Sequence, residues 1–340
     1  MGSNEIQDIL TELAHGRDLP EPMAERAFQI LMSGGATPAQ IAAFVMGLRI
    51  KGETVTEIIA GARVLRQKAA TFTAPEHAID TCGTGGDGSR TLNISTAVAI
   101  VTAACGVPVA KHGNRAVTSA SGSSDVLEAL GINVRATAEQ SQTALEQIGL
   151  CFLMAPLYHK AVRHVAPVRQ ELGLRTIFNL LGPLANPAGT KRQLIGVYSE
   201  RWLEPVAEAL HALGSTKAWI VHGRDGMDEI TTTTLTDVAM LQDGVISRLI
   251  IDPADYDIEY ASLANLSGQD AEYNAKALRQ LLGGMKGPYR DIVLLNTAAA
   301  LCVADAADDL HHGMRLAAEA IDDGRARNIL AQLAEVTRHA

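Results

Sequence analysis

Between Gly88 and Ser124 the 340-residue sequence holds no aspartate and no glutamate. Aromatic residues are scarce throughout, at 4%. An aliphatic core with close helix contacts follows. Cysteine is rare as well. Cys82, Cys105, Cys151 and Cys302 stand too far apart for a C-x-x-C redox pair or a metal knuckle. Basic residues are in deficit, with 29 Lys plus Arg against 38 Asp plus Glu and a net charge of −9. That balance argues against a nucleic-acid binder, which is basic over at least one face. Long apolar runs are missing too. The two most apolar stretches, 97–110 and 292–303, fall short of a bilayer span, and the first contains Gly106 and Pro108. The opening MGSNEIQDIL is too polar for a signal peptide, and Ile6 stands where a myristoylation pattern needs Ser or Thr. The expectation is a soluble cytoplasmic protein with reduced thiols.

What is present falls into two textures. Residues 4 to 70 read as four helices and no strand. Ile6, Ile9, Leu10 and Leu13 make one apolar face at helical spacing. TPAQ at 37–40 and TVTE at 54–57 are capping boxes, the first with Pro38 at the first helical position. From about 77 onward short apolar runs alternate with helical patterns. HAID (77–80), VPVA (107–110), LCFLMA (150–155), LIGVY (194–198) and AWIVHG (218–223) read as strands. Helices are expected near 94–105, near 124–130, from Thr137, and between the last two strands. Residues 232–251 read as two or three further strands, with TTTT at 231–234 taken as strand because threonine suits a pleated surface. Beyond about 272 the pattern is helical. Strand–helix alternation implies a mainly parallel sheet covered by helices, with ligands beyond the strands' carboxyl ends. The fold class is α/β: a small helical domain over 1–72 and a large α/β domain over 73–340.

The loop DTCGTGGDGSRTLN (80–93) spells G-x-G-x-x-G with Gly83, Gly85 and Gly88. A dinucleotide site also needs an acid about 20 residues on, to bind ribose hydroxyls. The acid-free stretch supplies none. The second strand ends in KHGNRA, so Lys111, Arg115 and His112 make that end cationic. Arg115 leaves a 2′-phosphorylated dinucleotide formally open. Ser95 and Thr96 open one helix, and Thr118, Ser119, Ser121, Ser123 and Ser124 precede another. Amides, hydroxyls and cations without acids describe a site for several phosphates.

Six motifs in order, GTGGD (83–87), NIST (93–96), KHGNR (111–115), SGSSDVLEALG (121–131), RTIFNLLGPLANP (175–187) and GMDEIT (226–231), resemble the anthranilate phosphoribosyltransferase family over nearly the whole chain. The resemblance implies a small helical domain that also takes in helices from about 165–185, and a homodimer formed through the helical domains. It implies transfer of a phosphoribosyl group from 5-phosphoribosyl 1-diphosphate to the amine of anthranilate, a step of tryptophan biosynthesis, with Mg²⁺. The site is expected in the hinge between the domains.

Position by position, the resemblance puts Gly83, Gly86, Asp87, Thr91, Asn93, Ser95, Thr96, Lys111, Gly113, Asn114, Arg115, Ser119 and Ser123 around the diphosphate substrate. Gly83, His112, Asn114, Arg169, Gly182 and Pro183 fall around anthranilate. Ser95, Asp228 and Glu229 are the metal ligands it implies, hard oxygens of the kind Mg²⁺ takes. No covalent nucleophile is called for, and the candidates nearest the chemistry are Lys111, His112 and Asn114. Two other functions share this plan. A pyrimidine nucleoside phosphorylase would not need the Asp228–Glu229 pair. A nucleic-acid-binding relative should be basic along one face.

Overall fold

The protein is described by a computed structural model covering residues 2–115 and 121–338. Four helices come first: α1 (Gly2–Ala14), α2 (Glu21–Met32), α3 (Pro38–Lys51) and α4 (Val55–Lys68). Both expected capping boxes close. The Thr37 hydroxyl accepts from the Gln40 amide at 3.3 Å, and the Gln40 side chain accepts from the Thr37 amide at 2.9 Å. Thr54 and Glu57 repeat the exchange. Such caps contribute about 1 kcal/mol each. Glu57 does more than cap. It is fully buried, accepts from the Leu19 amide at 3.0 Å, and pairs with Lys51 Nζ at 3.1 Å. It thereby ties the loop before α2 to the start of α4. Gly61 in α4 is fixed by packing. A Cβ there would lie 2.8 Å from both Phe28 of α2 and Leu181.

The seven strands are β1 (Ile79–Gly83), β2 (Val109–Gly113), β3 (Leu150–Met154), β4 (Arg192–Gly196), β5 (Lys217–Gly223), β6 (Thr236–Gln242) and β7 (Val245–Ile251). They form one sheet in the order β3-β2-β1-β4-β5-β6-β7. The first five are parallel, and β6 and β7 join antiparallel. Helices α5 (Ile94–Ala104), α6 (Ser123–Ala129) and α7 (Ala138–Ile148) lie in the β1–β2 and β2–β3 crossovers.

Alternation along the strands sends side chains to opposite faces. Ile195, Ala218, Ile220, Ala239 and Leu241 join helix Leu203–Ala212, α1–α4, Val165, Val168 and 177–185 in one apolar core. Leu194, Trp219, Val221 and Val238 face the other core, built on α5 and helices Pro288–Val303, Leu310–Asp322 and Arg325–Thr337. Because β2 and β3 extend from one side of β1 while β4 and β5 extend from the other, the topological switch point falls between β1 and β4.

Three expectations shift. β1 runs on to Gly83, so Cys82 and Gly83 are strand residues rather than loop, and β2 runs past VPVA to Gly113, with Lys111 and His112 paired within it. Pairing of Val109–Gly113 with Leu150–Met154 carries β2 past its apolar run. The chain over 232–251 yields two strands, and TTTT is not strand. Thr231 donates its hydroxyl to Asp225 Oδ2 at 2.7 Å, and Thr233 donates to the same oxygen. Hydroxyls bonded locally compete with a ladder, and here they win. No described helix is long and apolar enough to cross a membrane, and all four cysteines are free. Ser119, with Thr118, lies outside the described residues.

Candidate active site

The switch point gathers the site. Gly83 and Gly196 are register partners at the ends of β1 and β4. The loop after β5 crosses directly over them. A Cβ on Gly196 would sit 1.6 Å from the Asp228 carbonyl oxygen, and one on Gly83 would sit 2.5 Å from Asp228 Oδ2. Neither glycine is there for positive φ. Both make room for the Asp228 segment. Beyond Gly83 the chain turns through Gly85, Gly86 and Gly88, all at positive φ, which only glycine adopts without cost. The Gly85 amide donates to Asp228 Oδ2 at 2.7 Å, and the Ser95 amide, in the first turn of α5, donates to Glu229 Oε1 at 3.2 Å. The glycine turn, the α5 N-terminus and the acid pair are therefore one unit.

Its electrostatics are unusual for carboxylates. Burial first, and Asp87 second, push the Asp228 carboxyl up to about 7. Burial and then Asp228 hold the Glu229 carboxyl well above its ordinary range. Three acids thus share a place where their charges are poorly compensated. Lys111 is the cation beside them. It is buried, donates to the Thr81 carbonyl and, at 3.3 Å, to the Ser95 hydroxyl. Burial lowers its pKa, and Asp80 is the largest influence against that. Among the described residues no three His, Cys, Asp or Glu side chains converge as a metal cage. A hard cation held by one or two carboxylates, with substrate phosphates and waters completing its shell, suits this donor set. The residues present fit Mg²⁺ in that role, with Asp228 and Glu229 as ligands and the Ser95 hydroxyl adjacent.

Other expected residues fall into place unevenly. The Asp87 carboxylate accepts from the Ser89 amide at 3.2 Å and from the Ser89 hydroxyl. Thr91 forms a bridge with Ser267. Asn93 heads α5, yet its side chain is not a cap. It donates to the Ser121 carbonyl at 3.2 Å and accepts from Asn274 at 2.9 Å, joining the loops before α5 and α6 to helix Ala271–Leu282. Thr96 is buried and lines a small cavity with Lys111, Leu127 and Phe152. Gly113 is a close approach, since a Cβ would meet Phe152 at 2.6 Å and Ser123 Oγ at 2.7 Å. Asn114 is exposed, and its carbonyl accepts from the Ser124 amide at 3.4 Å. Arg115 turns away to α6, pairing with Asp125 at 3.1 Å and Glu128 at 2.7 Å.

On the flank toward the N-terminal helices, His112 is buried beside His159, with ring centroids 5.2 Å apart and the Gly182 backbone nearby. Burial, then His159, pushes its imidazole down to about 3. It is therefore neutral and a poor base. Its amide donates to buried Asp80 at 3.1 Å. Arg169 lies over the Phe178 ring at 5.2 Å and has no carboxylate partner among the described residues. Burial lowers its pKa. Pro183 is buried, and its carbonyl accepts from Gln193 at 2.9 Å.

Sequence reasoning missed Gly196, Arg175, Asp225 and Asn296. Arg175 donates to the Gly86 carbonyl and stacks over Tyr198 at 4.5 Å. Tyr198 in turn donates its amide to the Thr84 hydroxyl at 3.1 Å. Together they clamp the glycine turn. Arg175 stands inside a quoted motif, so position alone could have flagged it.

Comparison with known proteins agrees with this architecture. The family model described as "Glycosyl transferase family, a/b domain" matches residues 75–327, and "Glycosyl transferase family, helical bundle domain" matches 7–69. Anthranilate phosphoribosyltransferase of Rhodospirillum rubrum is 56% identical over 97% of this chain and 95% of its own length. That of Azospirillum brasilense is 55% identical over 98% and 93%. The anthranilate phosphoribosyltransferase structure from Thermus thermophilus superposes with a TM-score of 0.91 at 40% identity, covering 97% of this chain and 99% of that one. The Saccharomyces cerevisiae enzyme, solved in complex with PRPP and Mg, gives 0.91 at 25% identity, covering 99% of both chains. With its glycine turn and acid pair at the switch point and its likeness running nearly end to end, the chain belongs to the anthranilate phosphoribosyltransferase family.

Proposed function

We propose that this chain transfers the phosphoribosyl group of 5-phosphoribosyl 1-diphosphate to the amine of anthranilate, releasing pyrophosphate, as a step of tryptophan biosynthesis. The observation that carries the reading is the Asp228–Glu229 pair, lodged over Gly83 and Gly196 beside the α5 N-terminus. In the reaction the C1–oxygen bond to pyrophosphate breaks and a C1–nitrogen bond forms. The amine then loses its proton. Charge separates between a ribosyl cation and a pyrophosphate anion, so catalysis rests on positioning and electrostatic preorganisation.

Gly83, Gly86, Asp87, Thr91, Asn93, Ser95, Thr96, Lys111, Gly113, Asn114 and Ser123 surround the diphosphate substrate in this reading. The resemblance puts Arg115 and Ser119 there too, though Arg115 pairs with Asp125 and Glu128 and Ser119 lies outside the described residues. Asp228, Glu229 and Ser95 hold Mg²⁺, which when bound neutralises charge on the leaving group. Without a cation, the two carboxylates would repel pyrophosphate. Lys111 supplies a fixed positive charge from below the cradle. Arg169 takes the anthranilate carboxylate, with His112, Asn114, Gly182 and Pro183 around the ring. A planar guanidinium pairs bidentately with a carboxylate, and Arg169 has no such partner among the described residues. Neutral His112 packs rather than takes the proton.

In organisation, residues 1–72 with 165–185 act as one unit and the rest as another, with the site in the hinge between them. The chain works as a cytoplasmic homodimer through the helical units. Mixing the protein with the diphosphate substrate, Mg²⁺ and anthranilate tests the function. Anthranilate fluorescence falls if the reading is right. Steady fluorescence with a folded protein contradicts it.

A further inference from the structure

The loop between β5 and β6 has a simple problem to solve. It must hold two adjacent carboxylates over Gly83 and Gly196, where Asp228 accepts from the Gly85 amide and Glu229 from the Ser95 amide. Met227 and Ile230 flank the pair and are both fully buried, so they peg the loop at each end of Asp228–Glu229. Apolar pegs fix depth but not rotation. Two polar side chains supply the rotation.

Asn296 comes from helix Pro288–Val303, inside the run VLLNTAAALCV. It is fully buried. Its Nδ2 donates to the Ile230 carbonyl at 2.7 Å, and its Oδ1 accepts from the Ile230 amide at 2.9 Å. One amide side chain thus reads both backbone groups of the residue after Glu229, as a neighbouring strand would. A second bond from Nδ2 to the Ile292 carbonyl, at 2.8 Å, fixes the amide's orientation. On the other side of the pair, Asp225 Oδ1 accepts from the Met227 amide at 3.0 Å. Asp225 Oδ2 accepts the hydroxyls of Thr231 and Thr233. Asp225 therefore closes the loop on itself, joining the residue before Asp228 to residues beyond Ile230.

We infer that Asn296 and Asp225 are positioning residues that hold the Asp228–Glu229 carboxylates at the strand ends for the cation and the diphosphate. Asn296 is fully buried, and Asp225 commits both carboxylate oxygens to the loop itself. Both act through the backbone that bears the acids. The inference rests on the metal role given to Asp228 and Glu229 above, and the test separates the two.

The full-length protein, with 5-phosphoribosyl 1-diphosphate present, is titrated with Mn²⁺ as a stand-in for Mg²⁺, and free Mn²⁺ is read by its paramagnetic resonance signal. Asp228→Asn, Asn296→Ala and Asp225→Asn are compared with wild type. Asp225→Asn keeps one oxygen for Met227 but puts an amide where two threonine hydroxyls need an acceptor. Asp228→Asn should weaken Mn²⁺ strongly. Asn296→Ala and Asp225→Asn should each weaken it by about tenfold or more, since sub-ångström misplacement is costly. KM for anthranilate should stay as in wild type for both. If Asp228→Asn weakens Mn²⁺ while folded Asn296→Ala and Asp225→Asn bind as wild type, the positioning inference is overturned. If Asp228→Asn itself binds as wild type, the metal role fails and the inference with it. Asn296→Ala leaves two buried backbone groups unpaired, so its fold is checked by circular dichroism. Should it not fold, Asp225→Asn, at a half-buried position, decides the matter alone.

Discussion

Gly196→Ala is the smallest change that should disable this site. The added methyl carbon would stand 1.6 Å from the Asp228 carbonyl oxygen, 2.4 Å from its carbonyl carbon and 3.1 Å from its Cα. Ordinary non-bonded contacts need about 3.5 Å. The clash is with backbone, so no side-chain rotation relieves it. Either the 227–230 segment retreats by roughly 1.5 to 2 Å, or the end of β4 moves off β1 and β5. The first is the cheaper path, because β4 is paired on both sides along its whole length. Retreat also pulls Ile230 away from Asn296. Misplacement by 1 Å can cost on the order of 100-fold in rate. We therefore expect Gly196→Ala to lose about 100-fold or more in kcat/KM for the diphosphate substrate. Gly83→Ala should lose less, since its methyl meets a carboxylate oxygen that can swing aside. Initial rates of anthranilate fluorescence loss, with thermal unfolding of each variant, provide the measurement. A Gly196→Ala protein with near-native kcat/KM and Tm would refute the close-approach argument.

Further expectations concern charge and stability. Burial pushes the Asp228 carboxyl up to about 7 in the folded protein, against about 4 for a free aspartate. The folded state then binds the proton more tightly than the unfolded state, so stability falls as pH rises from about 4 through about 7. Asp228→Asn removes that loss, so in metal-free buffer at pH 8 its Tm should exceed wild type while Mg²⁺-dependent turnover drops; a lower Tm than wild type at pH 8 would contradict the assignment. Arg169→Ala should raise KM for anthranilate by roughly ten- to a hundredfold, because a charge-assisted hydrogen bond contributes about 1.5 to 3 kcal/mol, and leave KM for the diphosphate substrate in place; steady-state kinetics with each substrate varied checks both halves. Glu57→Ala takes the acceptor from the Leu19 and Thr54 amides and one of three from Lys51, which keeps Asp18 and the Gly52 carbonyl, so denaturant unfolding should show a loss of about 1 to 3 kcal/mol, and an unchanged midpoint would show that Glu57 does not stabilise the fold.

Much of this molecule was legible in the sequence, for identifiable reasons. Capping boxes at Thr37 and Thr54 are local and close as their spacing demands, and the helix start expected at Thr137 closes with one too. The parallel sheet followed from alternating patterns, and the turn ahead of α5 from its glycines. Strand ends were less legible. β2 is extended past its apolar run by pairing with β3, whose residues lie far along the chain, Val109 against Leu150. TTTT misled because β-propensity takes no account of Asp225, whose carboxylate draws two of those hydroxyls out of any ladder. Gly196 carried no local signal, as its reason is a loop that arrives beyond the next strand with Asp228. Asn296 did carry one. A lone amide in a run of buried aliphatics must find partners, and those partners turned out to be the backbone next to Glu229.

The central claim is that Asp228 and Glu229 bind the leaving group through a cation. Calorimetric titration of 5-phosphoribosyl 1-diphosphate, with and without Mg²⁺, tests it most directly in wild type and in the Asp228→Asn, Glu229→Gln double variant. The account predicts that Mg²⁺ tightens binding to wild type and that the double variant loses this dependence. Equal tightening by Mg²⁺ in both proteins would contradict it.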